Sequence, residues 1–228
     1  MSGGRATERV SGLALLPVAA TGAYYLLPPS LRDMVAIQFL PQIVGYLALA
    51  VWAAGNTAVI DRLGLRIRQV WEGLRWGLPT GLALGGINAS VMIWLVPWLG
   101  YDITFLRETP HAGIPIALMV PWFILFIAAA VELNFRGFLL GRLLVLVHQF
   151  SASSHRIVCN TMAVIVGATV FSFDPFMVTT FRHLHWIAVW DGIVWGMIWV
   201  RLGNLHATIT AHTVEVVVIY AILKTVLS

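Results

Sequence analysis

Between Ile114 and His148 the chain reads IPIALMVPWFILFIAAAVELNFRGFLLGRLLVLVH. The first half of this run is long enough to cross a bilayer, since about 20 apolar residues span a hydrocarbon core. Yet it carries a carboxylate, Glu132, and a guanidinium, Arg136, one helical turn later. A charge at that depth costs about 2.5–3.5 kcal/mol on insertion scales, so such residues pair, face a protein interior or mark a site. The i, i+4 spacing puts both groups on one helix face, where each offsets part of the other's cost.

The rest of the chain agrees with a bilayer as solvent. Hydrophobic residues make up 59% and charged ones 11%, the latter about half the soluble average. Backbone satisfaction in lipid allows helices or closed barrels, and long apolar runs without strand alternation exclude the barrel. The expected fold is therefore all-α, a polytopic helical bundle forming one membrane domain over residues 1–228. No basic cluster with interleaved aromatics is present, so nucleic acid is not expected as a partner; the lipid bilayer and other membrane-protein subunits are. A single cysteine, Cys159, excludes an internal disulfide and a cysteine-based metal site. The N-terminal apolar run lacks a small-residue cleavage site and is read as a span.

Hydropathy predicts seven spans plus an interfacial element. The spans cover about Val10 to Leu27, Met34 to Val59 with a kink at Pro41, Gly77 to Leu99, the Glu132 helix to His148, Ile157 to Phe173, Trp186 to Leu202, and His206 to Leu227. The loops are read at Gly100 to Gly113, Gln149 to Arg156 and Asp174 to His185. The segment from Asp61 to Trp76 alternates apolar residues with Arg62, Arg66, Arg68 and Arg75, the pattern of an amphipathic helix at the headgroup level. Arg5, Arg9, those four arginines, Arg142, Arg156 and Arg201 fall on one side of this scheme. Arg32, Arg107, Arg182 and Lys224 fall on the other. The excess places the N-terminus in the cytoplasm, as in a bacterial inner membrane.

Glu132, Arg136, Asp191, His212 and Glu215 all lie where lipid would reject them, and His183, His185 and His206 lie near helix ends. His212 and Glu215, three apart, share a helix face. Histidine and carboxylate on converging helices bind a metal or activate water, or they satisfy one another and neighbouring carbonyls. Gly192 and Gly196 form a close-packing face. Trp190, Trp195 and Trp199 read as packing or belt residues.

The segment VELNFRGFLLGRLL, from Val131, resembles the first motif of the CPBP family, the CAAX-processing and bacteriocin-processing (Abi) intramembrane proteases. The tail WDGIVWGMIWVRLGNLHATITAHTVEV, from Trp190, is similar to the last two motif helices of that family. The resemblance covers about 114–218. It implies a protease-like core in which a Glu-Glu-x-x-x-Arg motif, two histidines and an asparagine activate water. Arg136 matches the motif arginine, Phe171 the phenylalanine of a Phe-x-x-x-His motif, and His212 the final histidine. The first glutamate falls on Val131, leaving Glu132 alone. The histidine after Phe171 falls on Pro175, and the asparagine on Val216. A second frame, Phe181 to His185, keeps the Phe-x-x-x-His letters nearer the sixth helix.

Valine, proline and valine can neither move a proton nor ligate a metal, and loss of a general base costs about 10²–10⁴-fold. Three readings follow. One is a non-catalytic pseudoenzyme that serves as a scaffold or accessory subunit, with no cofactor. Another is a peptidase with a remnant or rearranged site of Glu132, Arg136, His185, His212 and Glu215, aided by a divalent metal if active. The third is a pigment- or haem-carrying subunit with His148, His206 or His212 as an axial ligand.

Overall fold

The computed structural model describes residues 8–109, 112–150 and 156–227. Among them the regular elements are helical, with no strand. The longer helices are α1 (Leu15–Tyr24), α2 (Leu40–Ala54), α3 (Val70–Ser90), α4 (Ile116–Gln149), α5 (Arg156–Ser172), α6 (Pro175–Phe181), α7 (Ile187–Leu202) and α8 (Leu205–Val226).

Among the described residues three segments are long and apolar enough to cross a membrane: Val59–Trp98, which contains α3, then α4, then α8. A fourth exists if α5 and Pro175–Leu184, bent by 54° at their junction, count as one broken span. The seven spans expected from hydropathy are not reproduced. A window average does not register where the helix itself stops. The apolar run after Met34 is divided at Phe39, and α2 begins at Leu40 with Pro41 in its first turn, not at a kink. Fifteen residues give a helix only about 22 Å long, short of a hydrocarbon core of about 30 Å. The amphipathic helix expected from Asp61 to Trp76 is also broken. It consists of one turn, Val59–Arg62, a reversal at Gly64 with φ of 70°, a short turn at Ile67–Gln69, and the start of α3. Gly64 is needed there, because left-handed φ strains other residues, and its carbonyl accepts from the Leu205 amide at 2.9 Å. The loop expected at Asp174 to His185 is mostly helical. Asp174 caps α6 by accepting from the Phe176 amide at 3.1 Å, with Pro175 in the first turn, where its missing N–H costs nothing.

The most extensive pairing in the fold is α3 with α8. Gly73, Gly77, Gly81 and Gly85 recur every fourth residue of α3, hence on one face. A methyl group at each would collide in turn with His206 and Ala207, Thr210, Ala211 and Val214, and Val218 of α8. In lipid, where burial of apolar surface between helices gains little, such close backbone approach is a main source of association. Gly192 and Gly196 do the same for α7, against Ala168 and Val164 of α5. The core between these pairs is built from Trp52, Phe135, Phe138, Leu140, Phe171, Trp195, Trp199 and Leu205. α4 threads through this packing. It turns π-helical at Met119–Phe123, around Pro121, and again at Leu133–Leu140.

Candidate functional site

Glu132 is the last residue of regular α-helix before the second π-helical stretch of α4, a kind of irregularity common at functional sites. Its side chain is 0% exposed. Glu132 Oε1 accepts from Arg136 Nη1 at 3.0 Å and from His212 Nδ1 at 3.0 Å. A carboxylate in a guanidinium pair can only accept, so the hydrogen of His212 sits on Nδ1. The His212 ring stacks on Trp195, with centroids 4.4 Å apart and planes 22° from parallel. The Arg136 guanidinium lies 4.3 Å from the Phe171 ring centre and 4.9 Å from that of Trp195. The three groups are therefore fixed by packing as well as by charge.

A second cluster adjoins the first. Asn88 of α3 donates its amide nitrogen to Asp191 of α7, at 3.0 and 3.1 Å, and to Glu215 of α8, at 2.7 Å. Trp190 Nε1 donates to Asn88 Oδ1 at 2.8 Å. An indole N–H only donates, so it fixes which end of the amide faces the acids. Two buried carboxyl groups thus stand within reach of one amide nitrogen. Glu215 Oε2 is buried and has no hydrogen-bond donor among the described residues.

Both clusters border a chamber of about 650 Å³. Asp191, His212 and Glu215 supply polar lining, while Val131, Phe135, Phe171, Trp195 and Val216 are among its apolar walls. Along α8 the lining continues through Ile219, Tyr220, Leu223 and Lys224 to Leu227, a path of about 22 Å at 1.5 Å per residue. Near that far end Tyr220 Oη donates to the Ile114 carbonyl at 3.0 Å, and Lys224 Nζ to that of Ala112 at 2.9 Å.

Of the residues expected from sequence, Glu132, Arg136, His212 and Glu215 come together, and His185 does not join them. His185 Nδ1 bonds the Arg182 carbonyl at 2.6 Å, and its ring packs edge-on against Phe173 at 5.4 Å. His183 lies between Tyr101 and Phe105. His148 Nε2 is bonded to Asn160 at 2.8 Å. His206 packs where Gly73 of α3 approaches. Glu132 Oε1 accepts from a guanidinium and an imidazole, while its Oε2 is buried with no hydrogen-bond partner among the described residues. Among the described residues no group of three or more His, Cys, Asp or Glu side chains is arranged to hold an ion. Asn88 escaped the sequence reading. Its only signal was an amide in an otherwise apolar stretch. Compared with protein-family models, with curated proteins and with solved structures, the chain matches none of them.

Proposed function

We propose that this protein is a membrane-embedded binding scaffold, a non-catalytic relative of the intramembrane proteases that its motifs resemble, acting as an accessory subunit or a receptor for an apolar ligand. One observation carries the reading. The carboxylate left from the paired-glutamate motif, Glu132, is held through Oε1 by Arg136 and His212 and does not line the chamber, and the position of the other glutamate, Val131, is an aliphatic wall of it. The motif positions Val131, Phe171, His212 and Val216 all line that one chamber, which supports descent from a site that once worked there. What remains is a mostly apolar space in which the motif positions Val131 and Val216 carry no group that can move a proton. The same reading puts the N-terminus in the cytoplasm of a bacterium, with the chain in its inner membrane.

Purification from native membranes in mild detergent is expected to recover a second membrane protein or a hydrophobic small molecule with the chain. Incubation with unstructured and transmembrane peptides is expected to give no cleavage by the wild type. Cleavage by the wild type that Glu132→Gln abolishes would overturn the proposal. A Val131→Glu variant tests the ancestry, because gain of any hydrolysis there is expected only if the old geometry survives.

A further inference from the structure

The chamber has a polar end in which acceptors outnumber donors. Three buried carboxyl groups, Glu132, Asp191 and Glu215, gather there against one guanidinium, Arg136, and one imidazole, His212. Arg136 is not part of the chamber wall and its Nη1 is on Glu132. Asp191 and Glu215 share the neutral amide of Asn88 and a hydrogen bond with each other. Both are buried and line the chamber, and Glu215 Oε2 lacks a donor among the described residues. A buried acceptor without a donor costs about 1–3 kcal/mol, more when it is charged. Beyond this end the walls are mostly apolar along the α8 path, which ends near Arg107, Lys224 and Leu227, while Asp174 and Gln42 add a separate polar patch to the lining.

We propose that the chamber binds a single-chain amphiphile with a cationic, N–H-donating head, of the long-chain primary amine class. Its ammonium meets Glu215 and Asp191, and its alkyl chain runs along α8 toward Leu227. This rests on the binding reading above and specifies the ligand. An ammonium supplies both missing elements, a positive charge and several donors directed at carboxylate oxygens. The alkyl chain replaces the contacts that an apolar chamber otherwise lacks.

The test uses the full chain in a neutral maltoside detergent, with thermal stabilisation as the readout for dodecylamine, dodecanol and dodecanoate. Dodecylamine is expected to stabilise at a concentration about tenfold below dodecanol, the gain of one charge-assisted contact, and dodecanoate not at all. Glu215→Gln is expected to remove the amine's advantage while dodecanol still binds. Ile219→Trp, which obstructs the alkyl path along α8 and leaves the acids in place, is expected to weaken binding of both and covers the case in which the Glu215 variant does not fold. Equal stabilisation by all three probes would overturn the head-group assignment but leave an apolar receptor. Stronger binding of dodecanol would give the head to a neutral hydroxyl, which also serves the buried, acceptorless indole N–H of Trp195, and overturns the cationic assignment. Preference for dodecanoate would overturn it in favour of Arg107 and Lys224. No binding of any probe, with unchanged behaviour of Ile219→Trp, would sink both the assignment and the small-ligand form of the binding reading.

Discussion

Two buried ionic groups in this protein are built on opposite balances. Near the N-terminus a single carboxylate, Glu8, collects donors. Ser11 Oγ and Trp52 Nε1 each donate to Glu8 Oε1 at 2.9 Å, and Arg62 Nη1 reaches Oε2 at 2.9 Å. Arg142 of α4 adds its Nε to the same carboxylate, its guanidinium 4.2 Å over the Trp52 ring. Two cations and two neutral donors surround one acid, so every acceptor site of Glu8 is claimed. The chamber inverts this, with three acids, one guanidinium and one amide. A donor-rich knot ties the chain segment before α1 to α2 and α4, and has nothing left to offer a ligand. An acid-rich cluster beside a space keeps an acceptor open. Burial is common to both, and the ratio of donors to acceptors separates a fastening from a site.

The sharpest way to break this contrast is Arg136→Met. Removing one member of a buried pair strands the other, at a cost of about 3–5 kcal/mol, and Glu132 would keep only His212. Unfolding in mixed micelles should show that loss, and the double variant Glu132→Gln with Arg136→Met should recover most of it. Equal losses in single and double variants would mean that packing over Phe171 and Trp195, not charge, is what Arg136 contributes. Next in size is Asn88→Leu, which leaves Asp191 and Glu215 without their shared donor, at about 1–3 kcal/mol for each group so exposed to an apolar interior. A smaller loss is expected from Glu8→Gln, about 1–2 kcal/mol after discount for the 20% exposure of Arg62. The amide oxygen still accepts from Trp52 and Ser11, Arg62 is partly open to solvent, and buried Arg142 keeps the Arg62 carbonyl and the Trp52 ring. If Glu8→Gln costs more than Asn88→Leu, the N-terminal knot outranks the chamber cluster and the ordering drawn from donor surplus is wrong.

What could be read beforehand follows from distance along the chain. Glu132 and Arg136 are neighbours on one helix, so their pair is written locally and the structure keeps it. α5, α7 and α8 match the predicted helix bounds within a residue or so at each end, although only α8 is by itself long and apolar enough to cross a membrane, because real breakers bound them: Asp174-Pro175 after α5, and Gly203 with φ of 57° between α7 and α8. Asn88 stayed hidden because its partners lie 103 and 127 residues away and an uncharged amide raises no alarm in a hydropathy window. The Gly73 to Gly85 stripe was hidden for a different reason. Its first member sits in the arginine-rich stretch that reads as an interfacial helix, so the four-residue period was cut in two. Arg142 counts in the sequence only as a sidedness charge, and the folded chain brings it to Glu8.

The smallest expected effect completes the comparison by holding chemistry constant and changing solvent. Asp61 and Arg66 also form an acid–guanidinium pair, with Asp61 Oδ1 3.1 Å from Arg66 Nε, but their side chains are 56% and 37% exposed. The separation is almost that of Glu132 and Arg136, at 3.0 Å. Water already solvates both partners, so the pair gains little on forming and leaves little stranded when broken. Asp61→Asn is therefore expected to change stability by no more than about 0.5 kcal/mol, and to become undetectable in high salt, while the effect of Arg136→Met should be nearly salt-independent because its pair lies out of reach of screening ions. Unfolding of both variants at low and high ionic strength measures this directly. An Asp61→Asn loss comparable to that of Arg136→Met would show that distance rather than burial governs these pairs, and would remove the ground for treating the buried acids of the chamber as chemically unsettled.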